Sequence, residues 1–316
     1  MRVLVFGAGA IGSAFGGFLS PHHEVTLLGR RTHLEAIHKN GLRVSGIWGN
    51  HRFRNLKLVH RFDALLKEKE KFDLILVTVK SYDTESAAKS IRKILGPKTL
   101  VLSLQNGIGN IETLQAHLPK KQILAGRIIF GVETTYQGSI KITVIAEPAA
   151  IGEPLGGKIT PRVKKLVKLI HQAGIPAVPT SNVQGRLWLK VIYNASLNPL
   201  ASLLHCHYGK LTESVATRML MNQVIEEVYS VMHKTKIQLP VPDARAYQKL
   251  FYSKLVPRTF NHHPSMLQDL QHGKQTEIDS ITGAVVRLGK KGRVPTPINQ
   301  KLLALIREKE KSHARR

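Results

Sequence analysis

The sequence predicts an α/β protein in two parts, a doubly wound parallel sheet over residues 1–180 followed by an all-α domain over residues 181–316. Three observations carry this expectation. Five continuously apolar runs with β character, Arg2 to Gly7, Glu24 to Gly29, Asp73 to Lys80, Thr99 to Gln105 and Ile123 to Gly131, are separated by stretches long enough for crossover helices. The first run leads directly into a glycine-rich turn that opens a helix. From Val183 onward the pattern is helical, with no convincing strand.

The remaining elements follow in order. Val3 to Leu19 is an uncharged, mostly apolar run, but its five glycines, its lack of a cleavage site and a length below the about 20 residues of a span make it strand-turn-helix, not a leader or membrane segment. Arg43 to Arg54, with Gly46 and Gly49, reads as a hairpin, and Ser139 to Glu153 as two more strands at the sheet edge. Pro161 to Ala173 carries Val163, Leu166, Val167 and Ile170 at helical spacing and is capped by Gly174. Ile175 to Asn182, with Pro176 and Pro179, reads as the linker between domains. In the second half, breaks are expected at Pro199, Pro240, Pro242, Pro257, Pro264, Gly289 to Gly292, Pro295 and Pro297.

Composition narrows the class. With 42% hydrophobic and 22% charged residues the chain is globular, not disordered. Its single cysteine, Cys206, allows no internal disulfide and no multi-thiolate metal site, which suits the cytoplasm, and no metal is expected. Lys and Arg outnumber Asp and Glu by 47 to 21, a net charge of +26 that attracts polyanions in general. The basic residues are spread along the chain without an aromatic platform, so a generally basic proteome explains them better than a dedicated nucleic-acid surface. The run Arg307-Glu308-Lys309-Glu310-Lys311 before Arg315-Arg316 reads as a solvated helix end fraying into a tail.

Gly7-Ala8-Gly9-Ala10-Ile11-Gly12 fits G-x-G-x-x-G in the setting that gives the pattern meaning. Gly7 permits a tight turn, Gly9 a close approach of pyrophosphate to backbone, and Gly12 close packing of helix on strand, as in a Rossmann domain. An NAD site places a carboxylate at the end of the second strand, whereas here Arg30-Arg31 follow Gly29, and planar cationic forks suit a 2′-phosphate. The expected cofactor is therefore NADP(H), with Arg30 the better candidate of the two and Arg31 equally a surface charge. Lys80 and Asn106 end two later strands and are expected to line the same crevice, the alternatives being a surface lysine at Lys80 and an Asx turn before Gly107 at Asn106.

In the helical half, Lys190, Asn194 and Asn198 recur at intervals of four within an apolar helix, a costly stripe unless it meets partners or a ligand, or faces solvent. Far downstream, Pro264 to Asp269 and Thr276 to Asp279 form a second polar group, in which Glu277 and Asp279 are both candidate partners for the lysine.

Taken together, the glycine turn, Val77-Thr78-Val79-Lys80, Asn106-Gly107-Ile108-Gly109, Leu187-Trp188-Leu189-Lys190-Val191 with Asn194 and Asn198-Pro199-Leu200, and Ser265-Met266-Leu267-Gln268-Asp269 with Thr276-Glu277-Ile278-Asp279 resemble the ketopantoate reductase family. The resemblance implies NADPH-dependent reduction of ketopantoate (2-dehydropantoate) to pantoate in pantothenate synthesis. It places the catalytic lysine on Lys190, the active-site glutamate on Glu277, the substrate amides on Asn106, Asn194 and Asn198 and the substrate serine on Ser265. Cofactor contacts fall on Gly7, Ala8, Gly9, Ala10, Ile11, Gly12, Arg30, Lys80, Asn106, Gly131 and Glu277. Where some members have a further asparagine, this chain has Leu204-His205-Cys206-His207-Tyr208-Gly209; Asp83, Arg127 and Glu133 carry no assigned role. The expected chemistry is protonation of a developing alkoxide by Lys190, with domain closure across Pro176 to Asn182. The expected partner is a small 2-keto acid, for a monomer or homodimer without membrane or specific nucleic-acid association. The rival readings are a related NADP-dependent reductase of another 2-keto acid and a non-catalytic NADP-sensing or polyanion-binding protein.

Overall fold

The structure, a computed structural model, describes residues 1–68 and 70–314. It divides into two compact units, Met1–Gln105 with Asn110–Val183, and Asn106–Gly109 with the chain from Gln184 onward. The first unit contains β1 (Arg2–Phe6), β2 (Glu24–Leu28), β3 (Leu42–Gly46), β4 (His51–Phe53), β5 (Lys57–Val59), β6 (Leu74–Val77), β7 (Leu100–Ser103), β8 (Ile123–Tyr136), β9 (Ser139–Gly152) and β10 (Ala177–Pro179).

The six strands β5-β2-β1-β6-β7-β8 lie side by side and all parallel. Renumbered among themselves along the chain they run 3-2-1-4-5-6, the doubly wound order, whose switch point falls between β1 and β6. Val3 and Val5 of β1 enter one buried cluster while Leu4 enters the other, and Leu74 and Leu76 part from Ile75 and Val77 in the same way. Both faces are covered, which is why these strands are apolar throughout and not alternating. The expected α/β sheet with a helical second part is what the chain builds.

Two strand expectations are corrected and one strand was not anticipated. Ser139 to Glu153 is one long strand, β9, antiparallel to β8, and it is interior to the sheet, because β3 and β10 pair with it. The Ile175 to Asn182 segment is not wholly linker, since Ala177–Pro179 pairs in parallel with Ala149–Ile151. Lys57–Val59 is a further strand, three residues long and without a period that would announce it. The Arg43 to Arg54 hairpin is present as β3 and β4.

In the second unit, helices Val183–Leu203, Val215–Met232, Thr282–Gly292 and Pro297–Ala314 surround a core that includes Trp188, Val224, Val228, Tyr247 and Phe251. Pro199 does not break its helix as expected. A proline inside a helix costs roughly 3 kcal/mol, but Leu197, Ala201 and Leu200 beside it are 0–5% exposed, and each buried leucine returns roughly 1.5–3 kcal/mol. Packing therefore outweighs the break. Among the described residues no helix is long and apolar enough to cross a membrane. The C-terminal run is the exposed end of helix Pro297–Ala314, as expected, although Arg307 and Glu310 also bond to other segments; Arg315 and Arg316 lie outside the described residues.

One buried titratable group ties the first unit's layers together. His33, 2% exposed, accepts the Gly138 N–H at Nδ1 (3.1 Å), so Nε2 carries the proton and meets Ser13 Oγ at 3.1 Å. Burial above all, and the Arg30 charge next, push its pKa below the ordinary 6.5. The stability tied to neutral His33 is complete above the unfolded pKa and declines as pH falls from there toward the lower folded value. The wild-type Tm should therefore drop more steeply than that of H33Q between about pH 7 and about pH 5; parallel curves would show that His33 is not the titrating group.

Candidate functional site

Two constellations stand at the places the sequence indicates, one in each unit. In the first, β1 runs into Gly7, whose φ of +116° only glycine adopts comfortably. The N–H groups of Gly7 and Ala8 both donate to the Leu28 carbonyl, at 3.0 and 2.8 Å, tying the turn to the end of β2. Thr78 Oγ1 donates to the Gly7 carbonyl at 2.7 Å from the end of β6, across the switch point.

The three glycines differ in surroundings. A Cβ on Gly7 would lie 2.7 Å from Val79 N, and one on Gly12 only 2.2 Å from the Gly7 carbonyl oxygen. A Cβ on Gly9 would meet nothing within 4 Å. Gly9 is the N-cap of helix Ala10–Leu19 and offers no side-chain cap, and helix geometry leaves the N–H groups of Ala10, Ile11 and Gly12 without an intrahelical acceptor. An open approach to donors at a helix N-terminus fits the pyrophosphate of a dinucleotide.

The neighbouring candidates are less uniform. Arg30 is exposed just past β2, whereas Arg31 is engaged by Glu35 in an exposed i,i+4 pair, the surface role open to it from sequence. Lys80, half-buried, follows β6 and precedes the short helix Ser81–Asp83. Gly131 sits in β8 where a Cβ would press on Thr143 and Val144 at 2.6 Å, a packing reason for glycine there. Burial raises the Asp83 carboxyl pKa. Arg127 is 2% exposed and pairs with Glu147 of β9 at 2.6 Å.

The second constellation gathers distant parts of the chain. Lys190 Nζ donates to Asn106 Oδ1 at 2.6 Å, and Asn106 Nδ2 donates to Glu277 Oε2 at 3.3 Å. Lys190 is half-buried and Glu277 6% exposed. Asn106 is positioned by its successors: Gly107, at φ +82°, lies against Ser280, and the Ile108 N–H donates to the Ser280 carbonyl at 2.8 Å. Of the two acidic candidates, Glu277 joins this array while Asp279 faces Arg307.

One and two turns beyond Lys190, Asn194 and Asn198 are 9% and 4% exposed, so the stripe does not face bulk water. Asn198 Oδ1 accepts from Tyr208 OH at 2.6 Å. Tyr208, to which the sequence assigns no role, is thereby a neighbour of this stripe, and it stands within the segment where the family pattern departs. Tyr193 packs edge-on against Tyr208 with ring centroids 5.8 Å apart, and burial pushes its hydroxyl pKa up to about 12. Ser265 is exposed at the start of helix Ser265–Gln271 and makes no hydrogen bond to Lys190, Asn106 or Glu277 among the described residues.

An ammonium held by an amide beside a buried carboxylate, on a chain that also builds a dinucleotide turn, is a set suited to carbonyl reduction. Comparisons with known proteins agree. The family described as ketopantoate reductase PanE/ApbA matches residues 3–155, and its C-terminal counterpart matches residues 182–310. The chain is 39% identical to the 2-dehydropantoate 2-reductase of Aquifex aeolicus over 98% of its own length and 97% of that protein, and 33% identical to that of Pyrococcus horikoshii over 98% of each. Among solved structures, a PanE/ApbA family ketopantoate reductase from Ralstonia eutropha superposes with a TM-score of 0.87 at 31% identity, covering 99% of this chain and 100% of that one. D-mandelate dehydrogenase in a ternary structure with NADH and anilino(oxo)acetate gives 0.87 at 27% identity, covering 99% of each. With both family segments matched in order and relatives aligned nearly end to end, the chain belongs to the ketopantoate reductase family of oxidoreductases.

Proposed function

We propose that this protein reduces 2-dehydropantoate to pantoate with NADPH, Lys190 being the proton donor. The observation that carries the reading is the Lys190–Asn106–Glu277 array, in which an ammonium is oriented at Nζ by a neutral amide that a buried carboxylate holds in turn. The bound cofactor, held at the Gly7–Gly12 turn, supplies a hydride to the ketone carbon. As the carbonyl oxygen gains charge, the Lys190 ammonium stabilises it and then passes a proton from Nζ to it, completing the hydroxyl group. Asn194 and Asn198 offer amides to the carboxylate and hydroxyl of the acid, and Tyr208 fixes the Asn198 oxygen so that its NH₂ group is the end presented. Glu277 keeps Asn106 turned toward the lysine. With a single cysteine, the chain suits the reducing cytoplasm.

NADPH is preferred over NADH in this reading because exposed Arg30 replaces the carboxylate of an NAD site, while Arg31 is occupied by Glu35. Steady-state loss of NADPH absorbance with 2-dehydropantoate, repeated with NADH, is the deciding assay. R30E should lower kcat/KM for NADPH by about tenfold or more through lost charge-assisted contacts and narrow the preference over NADH; an unchanged preference would remove Arg30 from the site. The likeness to D-mandelate dehydrogenase supports a second reading, a reductase of another 2-keto acid. A keto-acid panel separates the two, and faster turnover of an aryl keto acid than of 2-dehydropantoate would favour the second.

A further inference from the structure

The turn Thr276–Ser280 serves two members of the array. It carries Glu277, and its Ser280 receives the loop that carries Asn106, through the 2.8 Å bond from the Ile108 N–H and a contact so close that a Cβ on Gly107 would lie 2.3 Å from Ser280 Oγ. A displacement of this turn therefore moves Glu277 and Asn106 together relative to Lys190. Helix Pro297–Ala314 grips the same turn on either side of Glu277. The Glu310 carboxylate accepts the Thr276 N–H at 2.7 Å, and Arg307 donates to Asp279 Oδ1 from Nε at 2.9 Å and Nη2 at 2.6 Å. Arg307 and Glu310 are three residues apart and share a helix face; Glu310 is partly buried, while Arg307, Glu308, Lys309 and Lys311 are exposed.

We propose that Glu310 and Arg307 are positioning residues that brace the Thr276–Ser280 turn and so set the Lys190–Asn106–Glu277 geometry, an inference that rests on reading that array as the proton-donating site. The two contacts are unequal. Arg307 and Asp279 have side chains 51% and 48% exposed, and such a pair contributes little alone. Glu310 is partly buried and makes a charge-assisted bond to the backbone next to Glu277 and the 2% exposed Thr276, so it dominates.

The test compares E310A, E310Q and R307A in the full-length protein by three readouts: kinetic constants with NADPH and 2-dehydropantoate, NADPH affinity, and hydrogen exchange at the Ile108 amide. E310A should lower kcat/KM for the keto acid by about tenfold, as small misplacements of catalytic groups do, with a much smaller change in NADPH affinity and faster Ile108 exchange. E310Q, which keeps an acceptor oxygen, should recover most of both effects, and R307A should fall between wild type and E310A. Wild-type exchange and kinetics in E310A, or equal damage in E310A and E310Q, would overturn the brace, as would a lowered Tm with neither readout altered. Should the wild-type protein fail to reduce 2-dehydropantoate with NADPH, the functional reading falls, while Ile108 exchange still decides whether the brace exists.

Discussion

Replacing Lys190 with alanine is expected to lower kcat by about 10²–10⁴, the usual contribution of a positioned general acid, while leaving NADPH affinity within about twofold, because the proposed place for the cofactor's phosphates is the glycine turn and not this amine. The expectation follows from the donor's setting. Lys190 projects from a helix whose Trp188, Val191 and Ile192 are 0–2% exposed, so its backbone is fixed, and its Nζ is held at 2.6 Å from Asn106 Oδ1. On the proposed mechanism, removing it would leave the nascent alkoxide with neither a counter-charge nor a proton source. Single-turnover measurements with saturating NADPH isolate this step; near-normal turnover in K190A would remove Lys190 from the chemistry.

The second large effect separates the two duties of glycine in the dinucleotide turn. G12A places a methyl group 2.2 Å from the Gly7 carbonyl oxygen, 2.7 Å from Thr78 Oγ1 and 2.9 Å from Val5 Cγ1, so the helix must back away from β1. Overpacking of this kind costs about 1–3 kcal/mol, which at about 2–4 °C per kcal/mol lowers Tm by several degrees, and the displaced N–H groups should weaken NADPH binding by more than tenfold. G9A meets no atom within 4 Å. Its Tm should match wild type, yet its NADPH affinity should fall, because the methyl stands where phosphate approaches. Thermal melts paired with NADPH fluorescence titrations distinguish the cases, and G9A binding as tightly as wild type would show that the cofactor does not lie over that residue.

What the sequence reveals here depends on whether a feature is local. The β1 run, the glycine turn and the second-half helices are periodic patterns within a few residues, and the fold class could be read from them. β5 and β10 could not, because three residues such as Lys57–Val59 or Ala177–Pro179 have no periodicity and become strands only by pairing with β2 and β9. Lys190, Asn194 and Asn198 were visible as a polar stripe, but the stripe alone also fitted a solvent face. Its burial follows from tertiary packing. Spacing left Glu277 and Asp279 open and only the family resemblance chose between them; in the fold Glu277 reaches Asn106 while Asp279 pairs with Arg307, 28 residues further on. Tyr208 and Glu310 were not legible because their contacts to Asn198 and to the Thr276 N–H arise only from tertiary packing, and a run of mixed charges looks identical whether solvated or docked.

The bonding of Asn106 has a consequence for the orientation of its side chain. An ammonium group has only hydrogens to give and a carboxylate only lone pairs, so the ends of the carboxamide are not interchangeable: oxygen must face Lys190 and nitrogen must face Glu277. Aspartate, nearly the same shape, would set a second anion against Glu277, and leucine would speak to neither neighbour. Polarity, more than size, is what this position selects.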